Sequence, residues 1–492
     1  MNKKILILII CLSGILTACS YQEFFKQYQR LSETASGGES KKVRERSSGS
    51  DAVSGGSVSG SGIHSADNVT REMQTAQYWI DRLNTKDKVL ATQQEIEEFN
   101  KALKERLVQD SDAMFFDLDS FGESIQGSRL KELIGECVSG QLMLPFRSSV
   151  SWQEYYRNCN YEAIADYNKI RYGLICQRAD VRALPTEDKV EDGTTGDILQ
   201  NTALAINEPV LILHTSLDDE WYFVVAKEYA GWIQKEMAAL VPGRTAWQEI
   251  QEKEQFLVVT ADRMQTKQIP GDSLSGDYEF TMGTRLFLAE NTAWQAKKRE
   301  EGDEAGVYDS YVVKVPKRDV DGNLTYAFLS IPLGRDVNIG YMEYTRANVV
   351  SQAFKMLGNP YVWGGAYGER DCSSMIRDVY LCFGIYLPRN SSDMARLSEK
   401  DCTEKIKALS QSVDVKGLSE NEKTEKLMGA EPGAILQMPG HAMIYLGCED
   451  KNYFVLSARG GTYRCVMVND LHAKTEEGKT WAEQLCAIVS LF

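Results

Sequence analysis

The stretch "YVWGGAYGERDCSSMIRDVY", Tyr361 to Tyr380, decides how the C-terminal part of this chain is read. A lone cysteine, Cys372, stands between an acid and two serines, after a glycine-rich turn. Met375, Ile376, Val379 and Phe383 lie three, four, seven and eleven residues beyond it, which is one stripe of an α-helix. Cys372 therefore falls in a first helical turn, where unpaired N–H groups and the helix dipole favour an anion. A thiol placed there is expected to have a lowered pKa and the character of a nucleophile. A buried structural cysteine is the competing reading.

A nucleophilic cysteine needs a proton acceptor, usually histidine, oriented by a third polar group. The chain has only 4 histidines, so the candidates can be enumerated. His64 falls in a Ser/Gly-rich stretch, His214 in an apolar strand pattern, and His472 before a charged helix pattern. His441 opens a strand pattern after Pro439-Gly440, in the same segment as Cys372, and is the candidate base. A lone Cys and a lone His also occur together without chemistry, and that alternative stays open at this point.

Working outward, residues 345–492 read as α+β: a helix from Arg346 to Leu357, the cysteine helix, then strands "GAILQM", "HAMIYLG" and "YFVLSA". Before them lie two strand-rich blocks, 160–243 and 244–344, with the spacing of two small barrels. "DVDGNL" (319–324) carries an Asp-Gly hairpin signal in the second block. Residues 67–159 read as helical: Thr92 and Glu95 have capping-box spacing, and Ile96, Phe99, Leu103 and Leu107 share a face. Residues 19–66, with "ASGGESKKVRERSSGSDAVSGGSVSGSG", have too little apolar content to fold and read as a tether.

At the N-terminus, Lys3 and Lys4 precede an apolar run too short for a comfortable membrane span. The run ends in Leu16-Thr17-Ala18-Cys19, which resembles the bacterial lipobox. That resemblance implies a signal peptide over 1–18, a diacylglyceryl group on Cys19, and an extracytoplasmic protein anchored to a membrane. The competing reading is an ordinary secretory signal with a chance cysteine. Two of the 11 cysteines, Cys11 and Cys19, belong to this segment, and the other nine show neither a CxxC pair nor a zinc-like Cys/His spacing. The formal charge of -15 argues against a nucleic-acid partner, because phosphate binding needs clustered Lys and Arg.

"NPYVWGGAYGERDCSS" and "PGHAMIYLG" resemble the nucleophile and histidine segments of the NlpC/P60 cell-wall cysteine peptidases, which have a papain-like core. "RYGLICQRADVRALPT" with "EPVLILHTSLDDEWYFVVAKEYAGWIQ" resembles the first bacterial SH3 domain of a subgroup with a helical N-terminal section and two SH3 domains. The resemblance implies a multidomain chain: a helical N-terminal section, two SH3-like β-barrels, and a C-terminal α+β papain-like domain. It implies hydrolysis of peptidoglycan stem peptides between γ-D-glutamate and a diamino acid such as meso-diaminopimelate or lysine, by a monomer without metal or cofactor. Cys372 is then the nucleophile, His441 the base, and Tyr361 the residue that supports the oxyanion. Asp371 and Ser373 match positions that hold the free amine of a stem peptide beginning with L-Ala, and Ser391 matches a substrate-pocket serine. The family's third catalytic position, typically histidine, falls on Ser457, whose hydroxyl can accept from an imidazole N–H but carries no charge. A catalytically weakened protein that holds muropeptides without cutting them is the alternative.

Overall fold

The computed structural model describes residues 66 and 68–492, apart from 111–112, 140–151, 191–195, 253–254, 399–405, 407–409, 462 and 476–477. The leader, Cys19, His64 and the Ser/Gly-rich tether lie outside the described residues. Among the described residues no helix is long and apolar enough to cross a membrane.

The helical section is divided between two cores. The helix Gln93–Gln109 starts in a capping box, in which Thr92 accepts from the Glu95 N–H and Glu95 reaches back to the Thr92 N–H. Its buried face, Ile96, Phe99, Leu103 and Leu107, shares one apolar cluster with Met375, Ile376, Val379 and Phe383 of the C-terminal domain. Each such side chain contributes about 1.5–3 kcal/mol on burial. Farther along, Leu130, Leu133, Ile134 and Tyr155 pack instead into the first barrel.

Seven strands form that barrel: β1 (Arg171–Ile175), β2 (Ala179–Arg182), β3 (Gln200–Leu204), β4 (Pro209–Thr215), β5 (Trp221–Val225), β6 (Ala230–Gln234) and β7 (Ala238–Val241). Their spatial order is β3-β2-β6-β5-β4-β1-β7, antiparallel throughout. Every residue of β5 is buried because its two faces serve different clusters: Trp221, Phe223 and Val225 one, Tyr222 and Val224 the other.

The second strand-rich block forms a five-stranded sheet, β13-β12-β11-β8-β14, and a separate hairpin, β9-β10. These are β8 (Phe256–Val259), β9 (Arg263–Thr266), β10 (Tyr278–Thr281), β11 (Arg285–Leu288), β12 (Ser310–Arg318), β13 (Leu324–Pro332) and β14 (Val337–Ile339). Asp321-Gly322 turns β12 into β13, with the Asp319 carboxylate accepting from the N–H groups of Asp321 and Asn323 at 2.9 and 2.7 Å. Two helices, Arg244–Glu252 and Asn291–Glu300, interrupt a region that the sequence pattern presents as strands alone.

The C-terminal domain holds a six-stranded sheet ordered β15-β20-β16-β17-β18-β19. Its strands are β15 (Val413–Asp414), β16 (Ile435–Met438), β17 (His441–Glu449), β18 (Asn452–Arg459), β19 (Cys465–Asp470) and β20 (Ala487–Val489). The helix Cys372–Leu381 packs against β17 and β18 through the apolar stripe that the sequence predicts.

Candidate active site

Cys372 and His441 are each the first residue of an element, and those two elements pack together. Cys372 opens the helix Cys372–Leu381, capped by Asp371, whose carboxylate accepts from the Ser374 N–H at 2.9 Å. His441 opens β17, and the backbone N–H of Ala442, the next residue, reaches the Cys372 sulfur. Both side chains are nearly enclosed, Cys372 at 6% exposure and His441 at 9%. On the far side of the imidazole, Nε2 lies 3.2 Å from the Ser457 hydroxyl, which is fully buried. In β17 and β18 Ile444 faces Leu456; one residue further, Ser457 falls across from Met443, two residues from His441 on the same face. With Nε2 on Ser457, Nδ1 is the other nitrogen at which the ring can take up a proton.

The expected low thiol pKa is not what the fold produces. Burial pushes the Cys372 thiol up to about 12, and the negative charge of Asp371 adds to the rise. The Ala442 N–H and the Arg389 guanidinium oppose it without reversing it. Burial likewise lowers His441 to about 4, with the Arg459 cation adding to the effect. The resting pair is therefore a neutral thiol and a neutral imidazole. A helix N-terminus is worth a few tenths to about 2 kcal/mol, while removing a thiolate from water costs more than that.

Tyr361 lies near Cys372, just before the turn 363–368. Burial, followed by the nearby Cys372 and Asp371, raises its phenol, so the hydroxyl keeps its proton and can donate. Gly460 lies against the Tyr361 ring, and a Cβ there would come within 3.1 Å of it. The ring edge of His441 meets Trp481 with centroids 5.2 Å apart, and Arg459 lies 4.7 Å over the same indole.

Asp371 and Ser373 are already engaged. Arg389 forks onto Asp371 with 3.0 and 2.6 Å contacts and donates to the Ser373 hydroxyl at 2.9 Å. Burial alone would raise the Asp371 carboxyl, but the Arg389 charge and hydrogen bonds hold it below its ordinary range. Ser391 begins the short helix Ser391–Ala395, two residues after Arg389. Between them, Asn390 accepts from the Tyr229 hydroxyl at 2.6 Å, so the first barrel reaches the rim of the site. The remaining described histidines stay away: His214 Nε2 is 3.1 Å from the Asn160 carbonyl, and His472 is over half exposed beside Asp470.

Residues 358–487 match the model of the NlpC/P60 family. The C-terminal domain is an NlpC/P60 domain. Residues 183–234 match an SH3 domain of the SH3b1 type. The chain is similar in fold to a novel NlpC/P60 endopeptidase from Photobacterium damselae subsp. piscicida, with a TM-score of 0.64 and 16% identity. That likeness covers 85% of this chain and 96% of that one. An NlpC/P60 family protein from Bacillus cereus shares 16% identity over 64% of this chain and 98% of its own length, with a TM-score of 0.41. No curated protein matches the chain.

Sequence reasoning places Cys372, His441, Ser457, Tyr361, Asp371 and Ser373 in one site; the structure sets Tyr361, Asp371 and Ser373 around Cys372, sets Ser457 on His441, and brings the N–H of Ala442, the residue after His441, to the Cys372 sulfur. Arg389, Trp481, Arg459 and Tyr229 escaped it. Arg389 had one signal, an arginine two residues before a serine already singled out. Trp481 lies 40 residues from His441 and had none.

Proposed function

We propose that the protein is a cysteine peptidase that hydrolyses peptidoglycan stem peptides between γ-D-glutamate and a diamino acid. The observation that carries this is the placement of Cys372 at the start of its helix against the start of β17, with Ser457 on His441 Nε2. His441 accepts the thiol proton as the sulfur bonds to the amide carbonyl carbon, so no free thiolate need accumulate. The Tyr361 hydroxyl donates to the oxyanion that forms. The imidazolium returns its proton to the leaving amine, the C–N bond breaks, and an acyl-enzyme remains. Water, deprotonated by His441, attacks that thioester and releases the L-Ala-γ-D-Glu acid and the thiol.

The SH3 domain and the NlpC/P60 domain together suit peptidoglycan binding. A diacylglyceryl group on Cys19 and the tether 19–66 would hold the catalytic unit outside the cytoplasm, within reach of the wall. The requirement for a free L-Ala amine rests on Asp371 and Ser373, whose polar atoms are satisfied by Arg389. Comparing the free and N-acetylated tripeptides measures that requirement; equal turnover assigns Asp371 to the architecture of the site alone.

The test is incubation of purified protein with L-Ala-γ-D-Glu-diaminopimelate, followed by mass spectrometry for free L-Ala-γ-D-Glu. Product that disappears in Cys372→Ala supports the proposal. Binding without cleavage by the unmodified protein would overturn it in favour of a muropeptide-holding role.

A further inference from the structure

The turn before the cysteine helix, Trp363–Gly368, has two backbone hydrogen bonds of its own, from the Gly365 N–H to the Val362 carbonyl at 3.2 Å and from the Glu369 N–H to the Ala366 carbonyl at 3.1 Å. Gly364, Gly365, Tyr367 and Gly368 all have positive φ, at 63, 71, 60 and 75°. A tyrosine in the left-handed region costs about 1–2 kcal/mol, which contacts from outside the turn can help to offset. The support comes from the first barrel. The side-chain amide nitrogen of Gln200, fully buried at the start of β3, lies 3.4 Å from the Gly364 carbonyl oxygen. The same nitrogen is steered by Asp180 Oδ1 at 2.9 Å and the Thr202 carbonyl at 2.8 Å. Arg178 donates to the next carbonyl, that of Gly365. The approach is close: a Cβ on Gly364 would stand 2.8 Å from the Gln200 carbonyl oxygen.

A second line runs from the same strand to the cap of the cysteine helix. The Thr202 hydroxyl accepts from Arg389 Nε at 2.9 Å. Arg389 in turn forks onto Asp371, which caps the helix through the Ser374 N–H and accepts from the Gly364 N–H at 3.2 Å. Turn and cap are thus tied to each other, and both are tied to β2 and β3 and the residue before them. A barrel that served only to hold cell wall would need none of these buried polar contacts to the residues around Cys372.

We propose that Gln200, Arg178 and Thr202 are positioning residues, so that the first SH3 barrel sets the turn and helix cap that aim Cys372. This rests on the peptidase reading above, and the experiment separates the two. In the full chain, Thr202→Val removes the hydroxyl that receives Arg389 while keeping the volume, and Gln200→Leu removes the amide that holds Gly364. Two quantities are read: kcat and KM on the tripeptide, and the rate at which iodoacetamide labels Cys372 without substrate, followed by peptide mapping. The expected result is a kcat lower by roughly 10-fold with KM nearly unchanged, as a misaimed nucleophile produces. Cys372 labelling should become several-fold faster, because loosening the turn admits water to a thiol that burial keeps neutral. Thr202→Ser should restore both. Unchanged labelling in both variants overturns the proposal, whatever the activity assay shows. A raised KM with kcat retained overturns it too, because the barrel would then be holding substrate. If Gln200→Leu fails to fold, Thr202→Val alone decides.

Discussion

Ser457→Ala removes the polar partner of His441 Nε2 and leaves the rest of the imidazole's surroundings in place. In the resting state the ring is neutral, and the 3.2 Å contact to the buried hydroxyl orients it. In the proposed mechanism the ring becomes a cation as the thiol proton arrives, and the same contact becomes a hydrogen bond from a charged donor. Such bonds are worth about 1.5–3 kcal/mol. At the long end of the usual N–H···O range, the lower figure applies, and about 1.4 kcal/mol is tenfold in rate. Ser457→Ala should therefore lower kcat by about 10-fold with little change in KM, since the substrate does not meet this hydroxyl before the proton moves. Steady-state kinetics on L-Ala-γ-D-Glu-diaminopimelate measure it. Wild-type kcat in the variant would refute the reasoning and leave Trp481 packing as what holds the ring. Ser457→His should maintain or raise the rate, because a second imidazole is a better acceptor than a hydroxyl.

The other predictions concern protonation and the arginine fork. Since His441 is neutral down to about pH 4, kcat/KM should hold on the acid side until roughly that pH, and a loss centred near its ordinary value of 6.5 would contradict the buried site. Without substrate, iodoacetamide labelling of Cys372 should rise about tenfold per pH unit through neutrality, because the thiol titrates at about 12; a plateau near neutral pH would reveal a preformed thiolate. His441 also makes stability pH-dependent: its folded pKa is depressed, so the contribution is full above about 6.5 and is lost as pH falls towards about 4. Melting temperature should fall across that window by less in His441→Gln than in the parent. Arg389→Leu leaves the buried Asp371 carboxylate uncompensated and should cost about 3–5 kcal/mol, read by chemical denaturation.

What could be read from sequence was what depends on neighbours along the chain. The stripe after Cys372, the capping box at Thr92 and Glu95, the Asp321-Gly322 turn and the strand opened by His441 are local patterns, and each forms as the spacing dictates. The offset of sixteen residues between His441 and Ser457 was also legible, because two adjacent antiparallel strands convert a sequence interval into a position on a face. The protonation state of Cys372 was not. A helix N-terminus is a local property and predicts a low pKa, but burial is the sum of everything packed around the thiol, and here it wins. Arg389, Trp481 and Gln200 were hidden for the same reason. They approach the site from a loop, a late helix and the first barrel, and no periodicity connects residues that only the folded chain brings into contact.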